Sequence, residues 1–131
     1  MTARLAARGL DLRYADRLVV RGLDLEIPAD AVTAIVGPNA CGKSTLLRGL
    51  ARLLAPAAGT VTLDGADIHR IPARTLAKSL GLLPQQPVTP EAITVEALVR
   101  LGRHPHQRVF SPWSSADQEA VERTKDRKSV V

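Results

Sequence analysis

Cysteine is all but missing from this chain. The one residue, Cys41, cannot close an internal disulfide, so no covalent staple is expected and the usage suits a reducing compartment. Aromatic side chains are nearly as scarce: Tyr14, Phe110 and Trp113 are the whole set. The longest uncharged stretches, Ala31 to Gly42 and Ser79 to Pro90, are 12 residues each, too short for a helix to cross a bilayer. Arg4 and Arg8 are followed by Asp11 with no apolar segment between them, so no secretory signal is expected there. Neither an internal repeat nor a low-complexity segment is expected.

What is present is the composition of a folded chain. The 131 residues are 45% apolar and 24% charged, with a mean hydropathy of zero, which excludes the low-hydrophobicity pattern of disorder. The length suits one domain, here expected to be cytosolic. The net charge is +5, and fourteen of the eighteen basic residues are arginines scattered from Arg4 to Arg127. Nucleic-acid binders cluster their basic residues and interleave aromatics for stacking. Neither feature occurs here, so the charges read as a solvated surface and no nucleic-acid partner is expected. A weak attraction to an anionic membrane leaflet is the one lead the charge leaves.

Two strands are expected over residues 3–13 and 17–27, joined by a turn at Tyr14 to Arg17. The second alternates Leu18, Val20, Leu23, Leu25 and Ile27 with polar positions once Arg21-Gly22 is read as a bulge. Ala31 to Val36 has the apolar, bounded character of a buried parallel strand. From Lys43 the leucines at 46, 47, 50, 53 and 54 repeat at helical spacing, and that helix is expected to end near Ala55-Pro56. Thr60 to Leu63 is a strand closed by the hairpin pair Asp64-Gly65. A short helix follows from Pro72, then a buried strand at Gly81 to Leu83. The last elements are a helix from Thr94 to about Leu101 and one capped by Ser114 or Ser115 that reaches Thr124. The order, β-β-β-α-β-α-β-α-α, is a mixed α/β pattern.

The chemistry is concentrated in Gly37-Pro38-Asn39-Ala40-Cys41-Gly42-Lys43-Ser44, which matches the phosphate-loop pattern G-x-x-x-x-G-K-[ST] without a mismatch. The context agrees, with a strand entering and an apolar-striped helix leaving. Successive backbone N–H groups and the positive end of a helix dipole can surround an anion. Lys43 supplies a point charge to the outer phosphates, and the Ser44 hydroxyl is placed to coordinate Mg²⁺. A glycine turn before a structural helix is the plainer reading of the same residues. Cys41, beside the helix N-terminus, is expected to react with a maleimide and to be protected by Mg-ATP.

The stretch GPNACGKSTLLRGLARLL, followed by AGTVTLDGADI and LGLLPQQP, closely resembles the ATP-binding subunits of ABC transporters. The resemblance implies an α/β P-loop NTPase (RecA-like) core carrying an N-terminal antiparallel β-subdomain. It implies ATP and Mg²⁺ as cofactors, held by Gly37, Pro38, Asn39, Ala40, Cys41, Gly42, Lys43, Ser44 and Thr45. Tyr14 stands where the family keeps an aromatic that stacks on adenine, and Gln85 where its glutamine contacts Mg²⁺ and the attacking water. Lys43 and Gln85 are thus the implied catalytic residues, and Ser44 and Gln85 the implied metal ligands. Alone, Tyr14 reads as a turn aromatic and Gln85 as a solvated loop residue. Ala40 departs from the family, many of whose members have glycine there.

The segment LVRLGRHPHQRVFSPWSSADQEAVER is similar to the region that faces the membrane-spanning partner in uptake systems for ferric siderophores, and less closely for haem and vitamin B12. The implied partners are transmembrane permease subunits and a second copy of the ATP-binding subunit, with the chain peripheral on the cytoplasmic face of the membrane. His104 and His106 could suggest a metal site, but two histidines without a third ligand read better as loop residues at a protein contact.

The resemblance covers residues 3 to about 124, and the family's LSGGQ-like loop, its Asp-Glu strand and its later switch histidine do not occur in the sequence. Residues 1–125 are therefore expected to be the N-terminal portion of one nucleotide-binding domain, able to bind nucleotide without hydrolysing it. Residues 126–131, Asp-Arg-Lys-Ser-Val-Val, match one translated frame of a common sequencing-library adapter and are expected to be artefactual. Without a neighbouring strand, Ala31 to Val36 is expected to expose its backbone and apolar side chains. Three other readings stay open: a soluble ABC-type ATPase of DNA repair or translation, a small-molecule phosphotransferase, and a non-enzymatic remnant.

Overall fold

The computed structural model describes residues 3–85, 93–107 and 112–128. They fall into two units, Met1–Leu76 and Ala77–Val131.

In the first unit, strand β1 (Ala3–Tyr14) and strand β2 (Arg17–Pro28) form an antiparallel hairpin about the two-residue turn Ala15-Asp16. Strand β3 (Ala58–Leu63) pairs with the other edge of β1, and the short β4 (Ala66–Asp67) with β3, giving the order β2-β1-β3-β4. Asp64 and Gly65 both take positive φ, 50° and 83°, which is what a tight hairpin turn between twisted strands needs. Helix α1 (Lys43–Leu50) lies on this sheet, with buried Gly49 against the side chain of Leu12. Ala7, Leu10, Leu12, Leu50, Val61, Leu63 and Ile68 make the core, joined by Leu76 of helix α2 (Ala73–Ala77).

The expectation of no internal repeat is wrong. Arg8-Gly9-Leu10-Asp11-Leu12 recurs as Arg21-Gly22-Leu23-Asp24-Leu25, and the hairpin sets the two copies face to face, Leu10 opposite Leu23. Each copy carries a bulge at its glycine. The Gly9 N–H donates to the Asp24 carboxylate at 2.8 Å, and the Gly22 N–H to that of Asp11 at 2.6 Å. The bulge expected at Arg21-Gly22 is therefore one of a reciprocal pair, each copy's aspartate satisfying the other's amide.

Other boundaries also move. α1 stops at Leu50, short of the leucines at 53 and 54, because Arg52 turns left-handed at φ 62°. Leu53 and Arg52 then donate their N–H groups to Arg48 O and Gly49 O, satisfying carbonyls that the next turn of helix would have used. Residues 31–36 form no ladder with any described residue. Val32 is fully exposed and Val36 87% exposed, so the predicted buried strand is an extended, uncovered segment. Apolar composition makes a strand stable only where a neighbour can take its N–H and C=O groups. The same reason applies at Gly81 to Leu83, where Leu83 is 87% exposed outside regular structure.

In the second unit, helix α3 (Val95–Leu101) begins where Thr94 Oγ1 accepts the Ala97 N–H at 3.1 Å, as its capping position predicts. A 3-10 turn covers His104–His106. Helix α4 (Ser115–Lys128) runs beyond the predicted Thr124. Phe110, and Gln86 and Pro87 of the glutamine-bearing stretch, lie outside the described residues.

Candidate functional site

The site is built where residues 37–42 lead into α1. Asn39 and Ala40 form a turn closed by the Cys41 N–H donating to Pro38 O at 3.3 Å. Ala40 sits at φ 64° and Gly42 at φ 103°, both left-handed. Gly42 is the N-cap of α1, and its carbonyl takes the first helical bond, from Leu46 at 2.9 Å. No side chain caps the helix and no acidic residue stands in its first turn. The amides of Lys43, Ser44 and Thr45 thus remain as donors at the positive end of the dipole, and residues 37–45 contain no carboxylate to compete for them.

Lys43 folds back across the loop. Its ammonium donates to Gly37 O and to Pro38 O, the latter at 2.7 Å, and lies 3.8 Å from Cys41 Sγ. Two backbone carbonyls and a sulfur hold a full positive charge beside uncapped helix amides. A side chain at Gly37 would place its Cβ 2.8 Å from Cys41 Sγ and fill the cradle. These donors suit a polyanion, and the exposed hydroxyl of Ser44 on the first helical turn suits the oxygen coordination that Mg²⁺ requires.

The structure brings Gly37 to Thr45 together in one loop. Tyr14 belongs to the same unit, 59% exposed at the end of β1 and paired with Arg17 across the hairpin turn. Gln85 belongs to the second unit, exposed and outside any helix or strand. Exposed His104 and His106 bracket the 3-10 turn.

The second unit carries a polar cluster that the sequence reading missed. Asp117 is only 5% exposed and accepts the Arg103 Nε–H at 2.7 Å, the Ser114 hydroxyl at 2.8 Å and the Ser114 N–H at 3.0 Å. The Arg103 guanidinium, and then the two Ser114 donors, hold its carboxyl down at a pKa of about 2. Ser114 Oγ in turn accepts the Asp117 N–H, a reciprocal capping box at the start of α4. The spacing Ser114-x-x-Asp117 was the available signal. Arg100 stacks 4.1 Å above the centre of the Trp113 ring, whose indole N–H donates to Gln118. An open cleft of about 370 Å³ between α3 and α4 is lined by Leu98, Val99, Gly102, Arg103, Ala120 and Val121.

Residues 20–130 match the family model for the ABC transporter. The chain belongs to the ABC transporter family. Over 91% of its length it is 50% identical to the ferric enterobactin transport ATP-binding protein FepC of Escherichia coli (strain K12), of which it covers 44%. It is 46% identical over 91% of its length to the probable siderophore transport system ATP-binding protein YusV of Bacillus subtilis (strain 168), covering 43% of that protein. The ABC transporter chain thus spans less than half the length of these relatives. Among solved structures, an inward-facing putative metal-chelate type ABC transporter superposes with a TM-score of 0.74 at 24% identity, over 99% of this chain and 46% of the other. That likeness carries the fold alone. Together with the family match it agrees with the fold class read from the sequence.

Proposed function

We propose that this chain is the nucleotide-gripping part of an ATP-binding subunit that energises uptake of ferric siderophores. The observation that carries the reading is the Lys43 ammonium held over an uncapped helix N-terminus, inside a sequence half identical to a ferric enterobactin transport protein. Triphosphate oxygens would take the amides of residues 41–45, and Lys43 would swing from Gly37 O and Pro38 O to the outer phosphates. Magnesium, when bound, neutralises charge on the terminal phosphates, and the Ser44 hydroxyl is the ligand this loop offers it. Tyr14 would stack on the base, and Gln85 would reach the metal and the attacking water. The permease would dock on the α3–α4 unit, placing the protein at the cytoplasmic face of the membrane, with a second copy closing over the nucleotide. No Asp-Glu strand for activating water occurs among these residues, so the 131-residue chain is expected to bind ATP without turning it over.

Uptake of radiolabelled ferric siderophore by cells of the source organism tests the reading. Deleting the gene is expected to abolish uptake, and a copy carrying Lys43→Met to fail in restoring it. Unchanged uptake after deletion would refute the transport assignment.

A further inference from the structure

We propose that Val19 is a positioning residue for the phosphate loop, turned out of the hairpin ladder to seat Gly42. Leu12 pairs with Val20 and Arg13 with Leu18, so Val19 is the extra residue of a bulge in β2. Bulges re-aim the side chain they release, and this one is aimed at the loop. A Cβ built on Gly42 would lie 2.8 Å from Val19 Cγ1, 3.7 Å from Val19 O and 3.9 Å from Val20 Cγ2. The N-cap residue of α1 therefore rests directly on β2. Gly42 carries the left-handed φ of 103° that turns the chain into the helix, so a shift of its seat tilts the amides that follow.

The same strand runs back through Leu18 and Arg17 to the hairpin tip, where Tyr14 stands. One bulge thus fixes the phosphate-gripping amides against the strand that leads to the aromatic. Remove the seat, and the loop samples more orientations before an anion can order it, which weakens binding by loss of preorganisation. The inference rests on the nucleotide reading above, and its test separates the two.

Mg-ATP and inorganic tripolyphosphate, which has no base, are titrated into the full 131-residue chain and its variants, with circular dichroism confirming their folding. Val19→Ala is expected to weaken both ligands alike, by about tenfold, while Val19→Ile keeps wild-type affinity. Weakening of ATP with tripolyphosphate unchanged would overturn the proposal, because Val19 would then act at the base end and not through Gly42. No weakening of either ligand would overturn it as well. A wild-type chain that binds neither ligand fails the nucleotide reading itself. The seat has its own readout in the pair Val19→Ala and Gly42→Ala. The added methyl clashes with Val19 Cγ1, so Gly42→Ala is expected to lower the urea midpoint less in the Val19→Ala background, and strictly additive effects would contradict direct seating.

Discussion

Single residues in the loop carry separable costs and chemistries. Ala40 holds φ 64°, and a left-handed non-glycine residue costs roughly 1–2 kcal/mol. Ala40→Gly is therefore expected to raise the urea midpoint, by an amount equivalent to about 1 kcal/mol after glycine's greater unfolded-state freedom is subtracted. A lowered midpoint would show that the methyl group packs favourably. Cys41 is exposed, with its sulfur 3.8 Å from the Lys43 ammonium inside the proposed phosphate cradle. Maleimide is expected to modify it, and Mg-ATP to slow the reaction; labelling indifferent to ATP would place nucleotide elsewhere. At this scale the sequence was highly legible, because the phosphate-loop pattern names each donor by position. Two contacts were not, the seat of Gly42 on Val19 and the Arg103–Asp117 pair. Both join residues distant in the chain, and nothing local in the sequence says which strand lies beneath a loop.

Elements show what local rules decide and what they leave to partners. The two hairpins and the caps of α3 and α4 follow from turn and capping residues, whose hydrogen bonds close within a few positions. The reciprocal bulges were equally visible, since Arg-Gly-Leu-Asp-Leu occurs twice, but their meaning appears only when the hairpin brings the copies together. Asp11→Ala or Asp24→Ala should each cost about 1 kcal/mol in denaturant unfolding, below the usual range for a bond to a charged group because the bulges are exposed. No loss in either variant would make the pairing incidental. The start of α4 depends on pH. The Asp117 pKa is lowered in the folded state, so its stabilisation is complete above the ordinary carboxylate value of about 4. It is lost as pH falls through about 2. Helical circular dichroism should decline over that window in the wild type, and part of that decline should be missing in Asp117→Asn.

The whole chain is shaped by what its sheet leaves uncovered. Residues 31–36, Ala-Val-Thr-Ala-Ile-Val, are uncharged, rich in β-branched residues and unpaired among the described residues, and such a segment invites pairing with another chain. The run has the composition of a buried parallel strand, but the antiparallel sheet offers it no partner, and Val32 and Val36 are exposed as expected for that segment without a neighbouring strand. The 131-residue chain is expected to associate with rising concentration in sedimentation velocity, and Val32→Lys, at a fully exposed position, to reduce that association. A sharp, concentration-independent thermal transition would contradict this.

Everything functional in the account depends on residues 37–45 holding a triphosphate. Isothermal titration of Mg-ATP into the 131-residue chain tests that directly. Saturable, magnesium-dependent binding is expected, weakened at least tenfold by Lys43→Met, the loss that follows when one charge-assisted contact worth about 1.5–3 kcal/mol is removed. Binding that is absent, or indifferent to Lys43→Met, would contradict it.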